Sequence, residues 1–375
     1  MSVILFIVVL SVLVLSHEFG HFIVAKMAGL RVDEFGFGFP PKLFGVTRGE
    51  TTYTINLLPL GGFVRIFGEN DETPTDGATS LRLSSRGFAS KPRVTQAAVV
   101  IAGVLFNLLL AWALFSFGFL IGLPTSVDSE TNSLPLSNVR LLITDVRNGS
   151  PASGAQLRAG DEIIAFGEMG KPLVKHPEAQ AVQTFIAANG DKPLTLTIRN
   201  GRKGVGNRDV IVTPRQGIIK DRAVIGISME MIGVVRLGPF RAIVEGFTMT
   251  LRTIDETARS LASFAKSFFV GKARDSLAAV TGPIGIISIV GEAAQYGFVQ
   301  LLTLVAFISI NLAVVNLLPF PALDGGRLLF IVVEGLRGKP LNSRLTTTAH
   351  NVGFVLLLFL MLIITFHDLA KLTLG

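Results

Sequence analysis

"SVLVLSHEFGHFIVAKMAG", residues 11–29, decides how the chain is read. Apolar residues run almost unbroken from Val3 to Leu15 and continue to Val24. A helix needs about 20 such residues to cross a hydrocarbon core of roughly 30 Å. Yet His17, Glu18 and His21 fall inside this run, where ionisable groups are costly and mark function. On a helix, residues four apart share a face. His17 and His21 can therefore reach one metal ion, with Glu18 beside them to take a proton from a water that the ion activates. Zinc accepts imidazole nitrogen readily, and a catalytic zinc keeps three protein ligands and one open position. A third ligand must come from elsewhere. A pair of satisfied helix-end histidines would explain either imidazole, but not the glutamate between them.

Composition agrees with a membrane protein. Of 375 residues, 49% are hydrophobic and only 16% charged, with a mean hydropathy of +0.57. A soluble domain is nearer a quarter charged. Besides the first span (1–24), three stretches are long enough to cross: 97–123, 297–318 and 351–366. The first lacks the basic flank of a signal peptide and runs long before any small-residue cleavage site. There is no cysteine, so disulfides and thiolate ligands are excluded. The net charge of +7 reads as cytoplasmic loops and contact with anionic lipid. No basic helix with interleaved aromatics is present, so no nucleic-acid partner is expected. Lys26, Arg31, Lys42 and Arg48 after the first span, and Arg327, Arg337, Lys339 and Arg344 between the third and fourth, place those loops in the cytoplasm. The segment 124–296 is then extracytoplasmic.

That insert divides in two. Residues 138–216 carry strand-like runs, "VRLLITDVR", "PLTLTIR" and "RDVIVTP". Residues 239–270 read as an amphipathic helix between Pro239 and Gly271. It is expected either at the membrane surface or against the soluble domain. Within the cytoplasmic loop 25–96, "TTYTINLLPLGGFVRIF" (51–67) alternates Thr52, Thr54 and Asn56 with Tyr53, Ile55 and Leu57. This predicts a hairpin turning at Gly61–Gly62, dipping beside the histidines and offering an edge to an extended peptide. A hairpin paired only with itself is the plainer alternative.

The third ligand should lie near the cytoplasmic end of another span. The third span runs into "NLAVVNLLPFPALDGGRLLF" (311–330), where Asp324 is the acidic residue. Pro319 and Pro321 break the helix there, and irregular backbone at that depth is tolerated only where it lines a cavity or is buried in protein. Asp324 is thus either the third ligand or a turn residue capping the next helix. Candidate amides within the spans are Asn107, Asn311 and Asn316. Each could orient substrate or stabilise an oxyanion, or hold two helices together.

An H-E-x-x-H on the first span, with N-x-x-P-x-P-x-L-D-G on a later one, resembles the site-2 protease family of intramembrane zinc metalloproteases. Asn316, Pro319, Pro321, Leu323, Asp324 and Gly325 match the second motif position by position. "DEFGFGFPPKLF" (33–44), "LPLGGFVRIFGEN" (58–70), "GVLFN" (103–107) and "TGPIGI" (281–286) are similar to the bacterial regulator of sigma-E protease-like subgroup. Residues 138–216 resemble a PDZ domain, whose turn and strand are matched by "SPASGAQLRAGDEIIAFG" (150–167), without a clear G-L-G-F carboxylate loop. Relatives often carry two such domains, and this chain has room for one.

The resemblance implies a polytopic α-helical membrane protein of about four transmembrane helices. It carries a membrane-associated β-hairpin and an inserted extracytoplasmic PDZ-like α+β domain. It implies one zinc ion per chain on His17, His21 and Asp324, with Glu18 as catalytic base. Asn316, Asn107 and Asn311 would contact substrate, and Gly61–Gly62 would belong to the substrate-pairing hairpin. The substrates would be single-span membrane proteins, trimmed first by another protease, in the lipid bilayer of a bacterial inner membrane. Two other classes compete. A PDZ-bearing membrane scaffold with a structural metal predicts a closed fourth ligand. A metal transporter predicts ionisable residues along several spans, which 97–123, 297–318 and 351–366 lack.

Overall fold

In the computed structural model, which describes residues 1–69, 85–127, 134–199, 206–219, 222–269, 281–339 and 341–374, the first apolar run is helix α1 (Ser2–Met27). Its buried residues Val9, Leu13, His17 and Gly20 recur every three or four positions, so it turns one face inward. Helices α2 (Arg93–Ile121), α7 (Phe298–Asn316) and α9 (Ser343–Leu374) coincide with the other three expected spans. Together with α1 they are the four helices long and apolar enough to cross a membrane among the described residues. The protein is an integral membrane protein.

After α1 come β1 (Val32–Arg48) and β2 (Thr51–Ile66). The hairpin therefore starts at residue 32 rather than 51, and its turn is Gly49–Glu50 rather than Gly61–Gly62. Both strands bend, β1 at its two prolines and β2 at Gly61, whose φ is 154°. The first half of β1, 32–37, is flanked by 62–66 on one side and by 52–55 on the other, and 44–47 lies beyond 52–55. The Gly61–Gly62 pair thus redirects one strand and leaves 62–66 as an outer edge.

The turn is tied to the end of α1. Glu50 accepts two bonds of 2.8 Å from Arg86 and one of 2.7 Å from Lys26. Arg86 and Lys26 hold its carboxyl down at about 2, from an ordinary value of 4.5. A carboxylate with a depressed folded pKa stabilises above its unfolded value and loses that contribution as pH falls through the folded one. In detergent, wild type is expected to melt higher than Glu50→Gln at neutral pH. The gap should close between about 4.5 and about 2. A gap that persists at the acid end would remove this pairing as its source.

A second compact unit, residues 117–242 with 292–301, holds a mixed α/β insert. Its strands are β3 (Leu123–Ser126), β4 (Leu136–Val146), β5 (Glu162–Glu168), β6 (Val174–Lys175), β7 (Leu194–Arg199), β8 (Asn207–Val212) and β11 (Ile227–Val235). They form one sheet in the order β3-β11-β4-β5-β7-β8, with β6 beside β5. A separate pair, β9 (Arg215–Ile219) and β10 (Arg222–Val224), stands outside it. Helices α3 (Pro151–Gly154) and α4 (Ala179–Ala188) supply Ala152, Val182 and Ile186 to a core with Ile143, Ile163, Leu196 and Val212. The strand-like runs read from 138–216 are β4, β7 and β8. The sheet also recruits 123–126 and 227–235, outside that range.

The amphipathic stretch is α5 (Pro239–Phe269). It lies against α2 and α7. Trp112 Nε1–H donates to the Ile243 carbonyl at 2.9 Å. Gly246 is so close to Ser116 that a Cβ there would meet its Oγ at 2.3 Å. Met249 and Ile254 cover the cluster of Ala111, Phe115, Ala306 and Ile310. Two further α-helices among the described residues are α6 (Pro283–Tyr296) and α8 (Asp324–Arg337).

Candidate metal centre

Helix α1 carries His17 and His21 one turn apart, as the spacing requires, and α2 crosses it at very close range. A Cβ on Gly20 would stand 2.4 Å from the Ala102 carbonyl oxygen. A Cβ on Gly103 would stand 2.4 Å from His21 Nε2 and 2.8 Å from His17 Cε1. The missing side chain at 103 is the room the imidazoles occupy. Ser16 Oγ donates to the Phe106 carbonyl at 3.2 Å and Ser309 Oγ to the Asn107 carbonyl at 2.8 Å. These bonds tie α1, α2 and α7 at this depth.

Asp324 arrives from the opposite direction. Helix α7 ends at Asn316, the prolines keep 317–323 irregular, and α8 starts at Asp324. The turn is tight. Ala322 has φ 82°, and its N–H donates to His350 Nδ1 at 3.0 Å. A Cβ on Gly325 would stand 2.2 Å from the Leu318 carbonyl oxygen. Asp324 is the first residue of α8, whose N-cap is Leu323, so it does not cap the helix as the plainer reading had it. Its carboxylate also lies 2.9 Å from His17 Nε2 and 3.4 Å from His21 Nε2, with the two Nε2 atoms 3.2 Å apart.

These three donors fit a zinc ion. Ligand atoms on a tetrahedral zinc at about 2.0–2.1 Å stand roughly 3.3 Å apart, close to the distances here. His21 Nδ1 lies 2.8 Å from the Val99 carbonyl. That bond fixes a proton on Nδ1 and leaves Nε2 for the metal. Among the described residues, this is the one group of three or more such side chains placed to hold an ion.

A cavity of about 360 Å³ opens on the donors. Its lining includes His17, Glu18, His21, Asp324 and the strand residues Phe63–Ile66. Gly62 runs beside Glu18, where a Cβ would meet its Cγ at 3.3 Å. Farther along the wall Arg327 is ion-paired with Glu69.

The three asparagines part company. Asn107 is fully buried with its amide against His17 Nδ1 at 3.3 Å, on the side away from the other donors. Asn311 is exposed and donates to the Phe307 carbonyl of its own helix at 2.8 Å. Asn316, the last residue of α7, is half-buried. None of the three is among the residues lining the cavity. Sequence reading missed the parts played by Gly103 and by the Val99 carbonyl. The first had a visible signal, a glycine four residues before the only amide of its span. The second had none, since every residue carries a carbonyl.

A sequence profile described as "Peptidase family M50" matches residues 5–360. The zinc metalloprotease RasP of Geobacillus kaustophilus is 32% identical over 445 residues, covering 99% of this chain and 98% of that protein. The regulator of sigma-W protease RasP of Bacillus subtilis is 29% identical over 444 residues, covering 99% of each. The zinc metalloprotease RasP of Oceanobacillus iheyensis is 28% identical over 456 residues, again covering 99% of each.

Proposed function

The chain belongs to peptidase family M50, the site-2 protease family, and is a zinc metalloprotease, and from that premise we propose that it is an intramembrane endopeptidase. In this reading His17, His21 and Asp324 hold its one zinc ion, Glu18 moves the proton, and the substrates are transmembrane segments of single-span proteins. The convergence of those three donors, from two elements 307 residues apart in sequence, beside Glu18 at membrane depth carries the proposal. A zinc ion there supplies a Lewis acid that polarises the scissile carbonyl and makes water acidic enough to attack near neutral pH. Glu18 takes the proton from that water and passes it to the departing amine. The Val99 carbonyl fixes the orientation of the His21 imidazole.

A helix hides its carbonyls in internal hydrogen bonds, so the substrate must be extended before attack. The outer edge 62–66 has a strand partner on one side only among the described residues, and the same segment lines the cavity. It supports strand addition as the way an unwound segment is held. The sequence reading placed Gly61 and Gly62 in a substrate hairpin. Here they are the bend that brings this edge to Glu18.

The loops rich in Lys and Arg put the donors near the cytoplasmic face of a bacterial inner membrane and the insert outside it. We read the insert as PDZ-like. A groove of about 820 Å³ lies between α4 and residues 222–229, with Arg147 and Arg222 in its wall. Gly226, in "VIGI" (224–227), lies in that wall with φ 81°. Prior trimming by another protease fits a module that admits shortened substrates. The scaffold alternative requires a closed fourth ligand, and none accompanies the three donors among the described residues.

Purified protein with a tagged single-span substrate is expected to cleave it within the membrane segment. A zinc chelator should abolish cleavage, and added zinc but not magnesium should restore it. Cleavage confined to a soluble tail, or insensitive to the chelator, would overturn the reading.

A further inference from the structure

Asn107 is fully buried on α2, outside the lining of the cavity. Its side chain is closed off from that cavity. Its amide lies 3.3 Å from His17 Nδ1, and its other terminal atom, Oδ1, is buried with no hydrogen-bond partner among the described residues. Its tie to α7 is made by the backbone carbonyl of Asn107, to Ser309 Oγ, and its side chain reaches α1 only at His17. The side chain answers to His17 alone.

The chemistry fixes which amide end faces the ring. An imidazole that gives Nε2 to a metal carries its proton on Nδ1 and needs an acceptor there. Oxygen and nitrogen of an amide are interchangeable in assignment and are set by the network. With the amide turned by half a revolution, Asn107 Oδ1 occupies the position 3.3 Å from Nδ1 and accepts its proton. The two histidines are then held alike: His21 by the Val99 carbonyl at 2.8 Å, His17 by a side-chain carbonyl two helical turns along the same helix.

We propose that Asn107 is a positioning residue that accepts the His17 Nδ1 proton, locking that ring in the form that ligates zinc through Nε2, and that it is no oxyanion donor. The proposal rests on His17 being a zinc ligand, as proposed above. It predicts a role in metal affinity rather than in substrate affinity.

The test is zinc affinity of the full-length protein in detergent, measured by competition with a chelating dye. Asn107→Leu is expected to bind zinc about 10- to 100-fold more weakly. Once saturated with zinc, it should keep the wild-type KM. Asn107→Asp, which retains an acceptor, should recover most of the affinity. Ser309→Ala removes the neighbouring interhelical bond and should leave zinc affinity unchanged. Zinc affinity within twofold of wild type in Asn107→Leu overturns the proposal, as does an equal loss in Ser309→Ala. Should Asn107→Leu fail to fold, nitrogen-15 NMR of zinc-loaded wild type labelled at its five histidines decides. A His17 proton on Nδ1 supports the assignment, and a proton on Nε2 or ligation through Nδ1 overturns it. His17→Ala separates the two levels. If it keeps zinc, the metal centre itself is misassigned. If it loses zinc while Asn107→Leu keeps it, only the role of Asn107 fails.

Discussion

Gly103→Ala is expected to strip the protein of zinc and of proteolysis together, though the change adds a single methyl group to a transmembrane helix. Elsewhere in such a helix alanine is the best-tolerated replacement. At 103 the new carbon would fall 2.4 Å from His21 Nε2, 2.6 Å from His21 Cε1 and 2.8 Å from His17 Cε1. Three contacts far inside van der Waals range cannot be relieved by one rotamer. Moving α2 back would break the bonds that tie it to its neighbours, from Ser16 Oγ to the Phe106 carbonyl and from Ser309 Oγ to the Asn107 carbonyl. The rings must turn, and turning either one takes its Nε2 out of the triangle with Asp324. Zinc affinity should fall by about 100-fold or more. Metal content after dialysis against a weak chelator measures it, alongside cleavage of the single-span substrate. Normal yield and helical content would show that the bundle survives. A Gly103→Ala protein with full zinc content would refute the close approach of α2 to the histidines.

Glu18→Gln should do the opposite to the metal and the same to the chemistry. Glutamine matches glutamate in size, so the packing beside Gly62 is kept, and no metal donor is lost. It cannot take up a proton. Cleavage should drop by about 10²- to 10⁴-fold, the usual span for removal of a general base, with zinc content unchanged. The pair of variants thus separates holding the ion from using it. Glu18→Gln that still cleaves within tenfold of wild type would sink the assigned role, and one that loses zinc would place Glu18 among the ligands.

What could be read from the sequence followed the range of the interaction. His17, Glu18 and His21 lie within one helical turn, so helix geometry alone assembles them. The four apolar helices were legible for the same reason, since each is defined by its own composition. Asp324 needed a depth argument, because only the fold brings residue 324 to residue 17. Strand β2 announced itself by the alternation around Tyr53, but its partner did not. "FGFGFPPKLFGVTR" (35–48) has three glycines and two prolines, a composition that argues against a strand until a long-range register imposes one. Gly61–Gly62 was taken locally as a turn, whereas tertiary pairing made it a bend. For the asparagines the residue type was visible and the direction was not. Rotation about a helix axis sends Asn107 to the imidazole and Asn311 to the surface. Strand β11 escaped because its place between β3 and β4 depends on residues about a hundred positions earlier.

If the edge 62–66 holds substrate as proposed, that limits what this protein can tell apart. An edge recognises amide and carbonyl groups, which every polypeptide carries, and so is nearly blind to side chains. Discrimination between two membrane segments would then fall on how readily each gives up its helix. In hydrocarbon an unpaired backbone group costs several kcal/mol, so a segment with residues that already loosen its helix would cross that barrier far sooner than a uniform run of leucine. Susceptibility would thus be a property of the victim's folding equilibrium rather than a consensus motif. Ranking candidate substrates by helix stability in lipid should order their turnover better than aligning them.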